Sequence, residues 1–162
     1  MKPKKSGRSY ALGWLARRPL TAVEIQRRLE AKGVPALEIE ETVDELLREK
    51  FLDDAALAYE FVVLRAERKR HAEQRLVRDL VGRGVSESVA SAAWRRAVEA
   101  GDVEPQALLR RAVERRLARE RHVDSTAQRR VYNALLRAGF TGAEIYAELK
   151  RQTHGNVIDE SE

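Results

Sequence analysis

Apolar side chains in this chain recur with helical spacing, and they do so in a unit that appears three times. An aliphatic residue, a leucine four positions on and a glycine four beyond that occur as Ile25-Leu29-Gly33, Leu76-Leu80-Gly84 and Val131-Leu135-Gly139. Each glycine is followed by an apolar residue (Val34, Val85, Phe140). At matching offsets come a small or branched one (Ile39, Ala90, Ile145) and then Val43, Trp94 or Leu149. Side chains four apart stack on one helical face, and a glycine directly after the run supplies the left-handed residue that ends a helix. The unit is therefore helix, tight turn, helix, repeated at an interval of roughly 50 residues.

Start and stop signals extend this to a full set of elements. Thr21 with Glu24 forms a capping box, and Leu20 can staple onto Ile25. This predicts a helix from Ala22 to Lys32 stopped by Gly33. Pro35 suits the first turn of the next helix, which carries Leu37, Ile39, Val43, Leu46 and Leu47. Asp53 or Asp54 caps a helix bearing Leu57, Phe61 and Leu64. The segment from His71 to Arg83 is the second copy of the short middle helix. Ser86 caps the helix that Gly101 ends, and Pro105 opens a long basic helix to about Arg121. Ser125 with Gln128 and Thr141 with Glu144 give two further capping boxes. The count is nine helices and no strand: an all-α, elongated array of three tandem three-helix repeats. Residues 1–8 read as a basic N-terminal tail, 9–51, 52–101 and 102–153 as the repeats, and 154–162 as an acidic tail. The joints near Leu52 and Gly101 are short, so neighbouring modules should stack.

Composition fits long amphipathic helices. Charged residues are 35% of the 162-residue chain, above the roughly 25% of ordinary domains, and glycine and proline are few. No cysteine is present, which leaves out disulfides and thiolate metal sites and is compatible with a cytoplasmic setting. The N-terminus lacks the apolar run of a secretory signal, and no stretch has the length of apolar residues that spans a membrane.

Charge changes the picture more. The net charge is +5 with a pI near 9.7, which makes an anionic partner plausible. Residues 35–60 hold nine acids against Arg48 and Lys50. Residues 62–83 hold seven bases (Arg65, Arg68, Lys69, Arg70, Arg75, Arg78, Arg83) against three acids, and residues 108–121 hold six against two. Relative to the central leucine of each repeat, equivalent positions carry Arg27 and Arg78, and Lys32 and Arg83. The third copy has Asn133 and Ala138 there, with Arg130 and Arg137 nearby. Stacked modules would join these bases into a positive strip, and arginine's fork pairs well with phosphate or carboxylate. For any single arginine a solvated helix face is the commoner explanation; clustered like charge repels itself unless a counter-charge arrives.

Catalytic chemistry is missing. His71, His122 and His154 lack partners at metal-ligand spacing. No phosphate-binding glycine loop, metalloprotease or nucleophile-elbow motif occurs. Asp53-Asp54 reads as helix capping, and Trp14 and Trp94 sit on apolar faces as core residues. Aromatic content of 6% argues against serial base stacking. No enzyme, cofactor or metal is expected.

The residues Ala11-Leu12-Gly13-Trp14-Leu15-Ala16-Arg17-Arg18-Pro19-Leu20-Thr21, then Glu24-Ile25, Leu29 and Lys32-Gly33, resemble the opening repeat of the RecX family, regulators of the RecA recombinase. Phe51-Leu52-Asp53-Asp54-Ala55-Ala56-Leu57-Ala58 is similar to that family's joint. Leu76, Leu80 and Arg83-Gly84-Val85 are similar to its second repeat, and Leu135 to Phe140 to its third. The likeness covers about residues 9 to 150. This chain departs from it at Leu20-Thr21, where a basic-serine pair is common, and at Ala138, which replaces a base.

The resemblance implies three tandem three-helix repeats that lie in the groove of the helical RecA–DNA filament. It implies contact with RecA and with single-stranded or duplex DNA inside the filament, and inhibition of recombinase and ATPase activity by blocking growth or promoting disassembly. The chain would act as a monomer, without membrane attachment. The central contact set is expected to be Arg65, Arg68, Lys69, Arg70, Arg75, Arg78 and Arg83, with Arg27 and Lys32 extending it. Two rival readings remain open. One is a general helix-turn-helix DNA-binding module, which the acids from Glu38 to Glu49 oppose in the first unit. The other is an adaptor whose basic face docks an acidic protein.

Overall fold

The computed structural model describes residues 6–155. Lys2, Lys4 and Lys5 of the basic tail and residues 156–162 of the acidic tail lie outside the described residues. Nine helices follow one another along the described chain: α1 (Gly7–Leu15), α2 (Ala22–Ala31), α3 (Ala36–Arg48), α4 (Asp54–Lys69), α5 (Glu73–Gly82), α6 (Glu87–Glu99), α7 (Pro105–Leu117), α8 (Ser125–Arg137) and α9 (Gly142–Gly155). Every extensive helix pairing falls inside a triplet: α1 with α2 and α3, α4 with α5 and α6, α7 with α8 and α9. The molecule is thus a tandem array of three-helix modules.

Local chemistry sets the helix ends. The Thr21–Glu24 capping box is complete, with Glu24 N–H donating to Thr21 Oγ1 at 3.1 Å and Thr21 N–H to Glu24 Oε2 at 3.0 Å. Thr141 and Glu144 exchange the same pair of bonds at 3.0 and 3.4 Å. Asp53 is the cap of α4, accepting from Ala56 N–H at 2.9 Å. The cap of α8 is Asp124, not Ser125: its carboxylate accepts from Ala127 N–H at 2.7 Å, and a negative charge suits a helix N-terminus better than a hydroxyl does. The basic helix α7 ends at Leu117, a turn short of Arg121, and the chain turns through Ala118 to Glu120. Gly7 and Arg8 belong to α1, where Gly7 N–H donates to Glu38 Oε1 at 2.7 Å and Arg8 pairs with Glu45 and Glu49 of α3.

The repeated apolar positions are the core. Ile25 and Leu29, Leu76 and Leu80, Val131 and Leu135 are all buried, as are Ile39, Ala90 and Ile145. Each buried leucine, isoleucine or valine among them contributes about 1.5–3 kcal/mol. Module one has a core of its own, built on Leu20, Ile25, Leu29 and Leu46. Modules two and three share a single core that runs from Leu57 to Leu149.

Modules meet through the ends of their middle helices. At the first joint Thr21, the N-cap of α2, donates from Oγ1 to the Arg83 carbonyl at 2.7 Å. At the second, Ala72, the N-cap of α5, donates its N–H to the Ala138 carbonyl at 2.8 Å. Arg83 and Ala138 each directly precede a repeat glycine, so one joint is built twice. The glycines are required on two counts. Gly84 and Gly139 have φ of +90° and +97°, and a Cβ on them would lie 2.4 Å from Val23 Cβ and 2.5 Å from Arg75 N respectively. Gly33 has φ of +69° but nothing within 4 Å of where its Cβ would sit.

These differences order three substitutions. Gly33→Ala should cost only the left-handed backbone penalty, about 1–2 kcal/mol. Gly84→Ala and Gly139→Ala should cost distinctly more, with Gly139 the worst because a backbone nitrogen stands in the way. Urea denaturation of the three variants checks this; equal losses would mean that the joints are not tightly packed.

Candidate functional site

The expected basic residues separate into groups once the joints are in view. At the first joint, Arg83 reaches across from module two and binds Glu24 twice, Nε to Oε1 at 3.0 Å and Nη2 to Oε2 at 2.9 Å, while Nη2 also donates to the Pro19 carbonyl at 3.4 Å. Both side chains are largely buried. Burial opposes ionisation of Glu24, but the Arg83 hydrogen bond, the Thr21 N–H and the charges of Arg83 and Arg18 outweigh it and hold the carboxyl below its ordinary range. Asp54, the first residue of α4, accepts from Ala22 N–H at 3.0 Å. There desolvation wins, aided by the neighbouring Asp53 and Glu24, and the carboxyl is pushed up. The Arg83 guanidinium also lies 5.8 Å from the Phe61 ring, which Arg65 covers at 5.1 Å.

At the second joint, Arg75 occupies the position in α5 that Glu24 occupies in α2. A cation there opposes the helix dipole. Arg75 turns back to Asp79, with Nε at 2.9 and 3.2 Å from the two carboxylate oxygens, and extends Nη1 to the Arg137 carbonyl at the end of α8, 3.4 Å away. Nearby, α4 ends on Arg70 in the left-handed conformation, φ 54° and ψ 43°. His71 follows. Burial first, then Arg75, Arg65 and Arg116, lower its pKa against the single pull of Asp79. Arg116 of α7 is half-buried, and its pKa is depressed by burial and then by Arg119, Arg115, Arg137 and Arg70, all cationic.

The structure therefore sets His71 among the charges of Arg65, Arg75 and Arg116, with Arg83 beside Arg65 at Phe61. Arg68 and Arg70 line a cleft of about 750 Å³ between α4 and α7 that also holds Glu67, Asp102 and Arg111. Arg27, Arg68, Lys69 and Arg78 are exposed and make no ion pair or hydrogen bond among the described residues. Lys32 lies 6.0 Å from the Tyr10 ring of α1, and Arg28 lies 5.6 Å from Trp14, which itself stacks on Tyr10. Arg116 and Arg137 were not among the expected contacts. The stretch from 108 to 121 is rich in bases, but nothing in it sets Arg116 apart, and only the fold brings its charge near those of Arg70 and Arg137.

A tandem array of three-helix modules, with basic side chains at and beside the joints, defines a class of modular all-helical proteins. Comparison with known proteins names the family. The model of the first three-helix domain of RecX matches residues 8–46. The regulatory protein RecX of Pelodictyon phaeoclathratiforme is 30% identical over 88% of this chain and 86% of its own length. That of Corynebacterium efficiens is 34% identical over 97% and 76%. The crystal structure of RecX from Lactobacillus salivarius has the same fold, with a TM-score of 0.77 at 18% identity, covering 90% of this chain and 93% of that one. The chain belongs to the RecX family.

The two carboxyls of the first joint should respond oppositely to pH. Glu24, held low, contributes stability that is present above its ordinary pKa and lost as pH falls through the folded value. Glu24→Gln should therefore cost about 1–3 kcal/mol at pH 7, and the difference from wild type should shrink in acid. Asp54, held high, is penalised once ionised, so its contribution is present below the ordinary aspartate range and lost as pH rises. Asp54→Asn keeps an acceptor for Ala22 and should be as stable as wild type or more so at pH 7. Its advantage should vanish at low pH. Denaturant titrations at pH 7 and in acid check both signs.

Proposed function

We propose that this chain is a non-enzymatic inhibitor of the RecA recombinase. It lies as a monomer in the groove of the RecA–DNA filament and limits filament growth, ATP turnover and strand exchange, in the cytoplasm where that filament forms. Membership of a family of regulatory proteins supports the class. The observation that carries the reading is the unpaired charge: Arg27, Arg68, Lys69, Arg70 and Arg78 have no acidic partner within the described residues. They stand on an array whose joints hold the modules end to end. Such a rod presents spaced cations to a surface that supplies phosphates and acidic loops. The working units follow the modules, 9–51, 52–101 and 102–153. Insertion of α3 into a duplex groove is opposed by Glu40, Glu41 and Asp44, whose charge repels phosphate.

Arg83 and Arg75 are poor residues to reverse, because each is bound inside the molecule. The triple substitution Arg68→Glu, Lys69→Glu and Arg78→Glu touches only exposed, unpaired side chains. The wild-type protein should suppress ATP turnover by RecA on single-stranded DNA, less so as salt rises. The triple variant should keep its thermal stability and need about tenfold more protein for the same inhibition, at roughly 0.5 kcal/mol per charge. Undiminished inhibition by a folded variant would remove these residues from the interface, and no inhibition by the wild type would remove the function.

A further inference from the structure

Each joint is made from two halves: the N-terminal end of one middle helix and the C-terminal turn of the next module's middle helix. The N-terminal ends of α2 and α5 and the C-terminal turns of α5 and α8 are spent on the two internal joints. The C-terminal turn of α2, in the first module, and the N-terminal end of α8, in the last, are left over.

The turn of α2 is built as its occupied counterpart is. In module two Arg83 lies 5.8 Å from the Phe61 ring beside Gly84, and Arg65 covers the same ring at 5.1 Å. In module one Lys32 lies 6.0 Å from the Tyr10 ring beside Gly33, and Trp14 stacks on that ring at 5.9 Å. Each of these module-one residues precedes its module-two counterpart by the same interval. Both glycines are left-handed, with φ of +69° and +90°. A left-handed glycine alone would serve only to end a helix; the cation over a ring beside it belongs to the joint. The difference is occupancy. The Arg83 carbonyl accepts from Thr21 Oγ1, and Val23 fills the space at Gly84. The Lys32 carbonyl accepts no hydrogen bond among the described residues, and the space at Gly33 is open.

The end of α8 is the matching half. Leu20 and Thr21, which lead into α2, are 2% and 0% exposed within the first joint. Val123, in the place of Leu20, is 45% exposed, and Asp124, Ser125 and Thr126 after it are exposed as well. Asp124 caps α8 through Oδ1. Its second oxygen and its N–H form no hydrogen bond among the described residues. An acid at the start of α8 thus suits Lys32 at the end of α2, as Glu24 suits Arg83, and the two helix dipoles agree.

We infer that the chain joins further copies of itself head to tail, the N-terminal end of α8 in one copy seating on the C-terminal turn of α2 in the next. The contact continues between molecules the joint that already links the modules. It is heterologous, so every added copy leaves one free half at each end and the assembly does not close on a pair. No continuous apolar core supports it, so single copies prevail in dilute solution. It is a property of the chain by itself and does not depend on the recombinase reading.

The test is sedimentation velocity of the full chain, without recombinase, in low salt and up to about 1 mM, a range that detects even a weak contact. The weight-average mass should climb with concentration past that of a dimer and fall back as salt rises. Gly33→Ala places a Cβ where the second copy must approach. Thr126→Arg sets a bulky cation at the position that Val23 holds in the first joint, and so against Lys32. Each variant alone should stay monomeric. Mixed in equal amounts they should form a pair and stop, because each retains the half that the other has lost. Gly101→Ala, at another left-handed glycine with open surroundings, should assemble as wild type does, which separates blocking from backbone strain. Thr126 is exposed, so its variant keeps the test valid if Gly33→Ala fails to fold. A wild-type mass that stays at one copy or stops at two, assembly retained in Thr126→Arg, or a mixture of the two folded variants that remains monomeric would overturn the inference.

Discussion

The turn that ends a middle helix exposes carbonyls, and in this array those carbonyls are the coupling element. A helix leaves its last carbonyls and first N–H groups without internal partners. Here the Arg83 carbonyl is met by the Thr21 hydroxyl, and the Ala138 carbonyl by the Ala72 N–H. The C-terminal end of one middle helix thereby answers the N-terminal end of another, an arrangement in which the helix dipoles also agree. Close approach is possible only because Gly84 and Gly139 lack a Cβ. Spacing and orientation of the modules, and with them the placement of every basic side chain, follow from this contact.

The two joints share a backbone and differ in charge. At the first, Glu24 sits at the positive end of α2 and Arg83 at the negative end of α5, so that each ion favours its own helix and the two bind each other. At the second, the corresponding places hold Arg75 and Ala138. The cation now opposes its dipole, and the neighbours from α4, α7 and α8 add more positive charge. Besides the Ala72–Ala138 hydrogen bond, what keeps that joint closed is apolar: Ala72, Leu109, Ala138 and Phe140 belong to one core that joins modules two and three. Module one has no such continuity and depends on the polar network of Thr21, Glu24, Asp54 and Arg83.

Much of this was readable from the chain. The Ile25-Leu29-Gly33 unit and its copies gave the module, because helical spacing and a left-handed glycine are local properties. Capping by Thr21, Asp53 and Thr141 was local too. The joints were not. In sequence Arg83 looks like Arg78, a base on a short helix, and only a partner 59 positions away makes one structural and leaves the other free. Asp54 looked like a spare capping residue beside Asp53, yet it serves a different helix. No local signal announces that Arg70 will adopt a left-handed backbone, or that the charge of Arg116 will lie near it. Asp124 displaced Ser125 as a cap because two adjacent candidates compete, and the carboxylate has the stronger attraction for the helix end.

Because the joints differ, added salt acts on them in opposite senses. The Arg83–Glu24 pair is largely buried and hydrogen-bonded in two places, so mobile ions screen it weakly. The arginines around the second joint repel, and screening relieves them. The exposed cations of Arg68, Lys69 and Arg78 lose attraction for any anionic surface as the Debye length shrinks toward about 8 Å at physiological ionic strength. Rising salt should therefore loosen the protein's hold on a polyanionic partner while leaving its own frame intact or firmer. That separates binding from folding in one variable, and it does so because the structural ion pair and the free cations occupy different environments along the same row of helices.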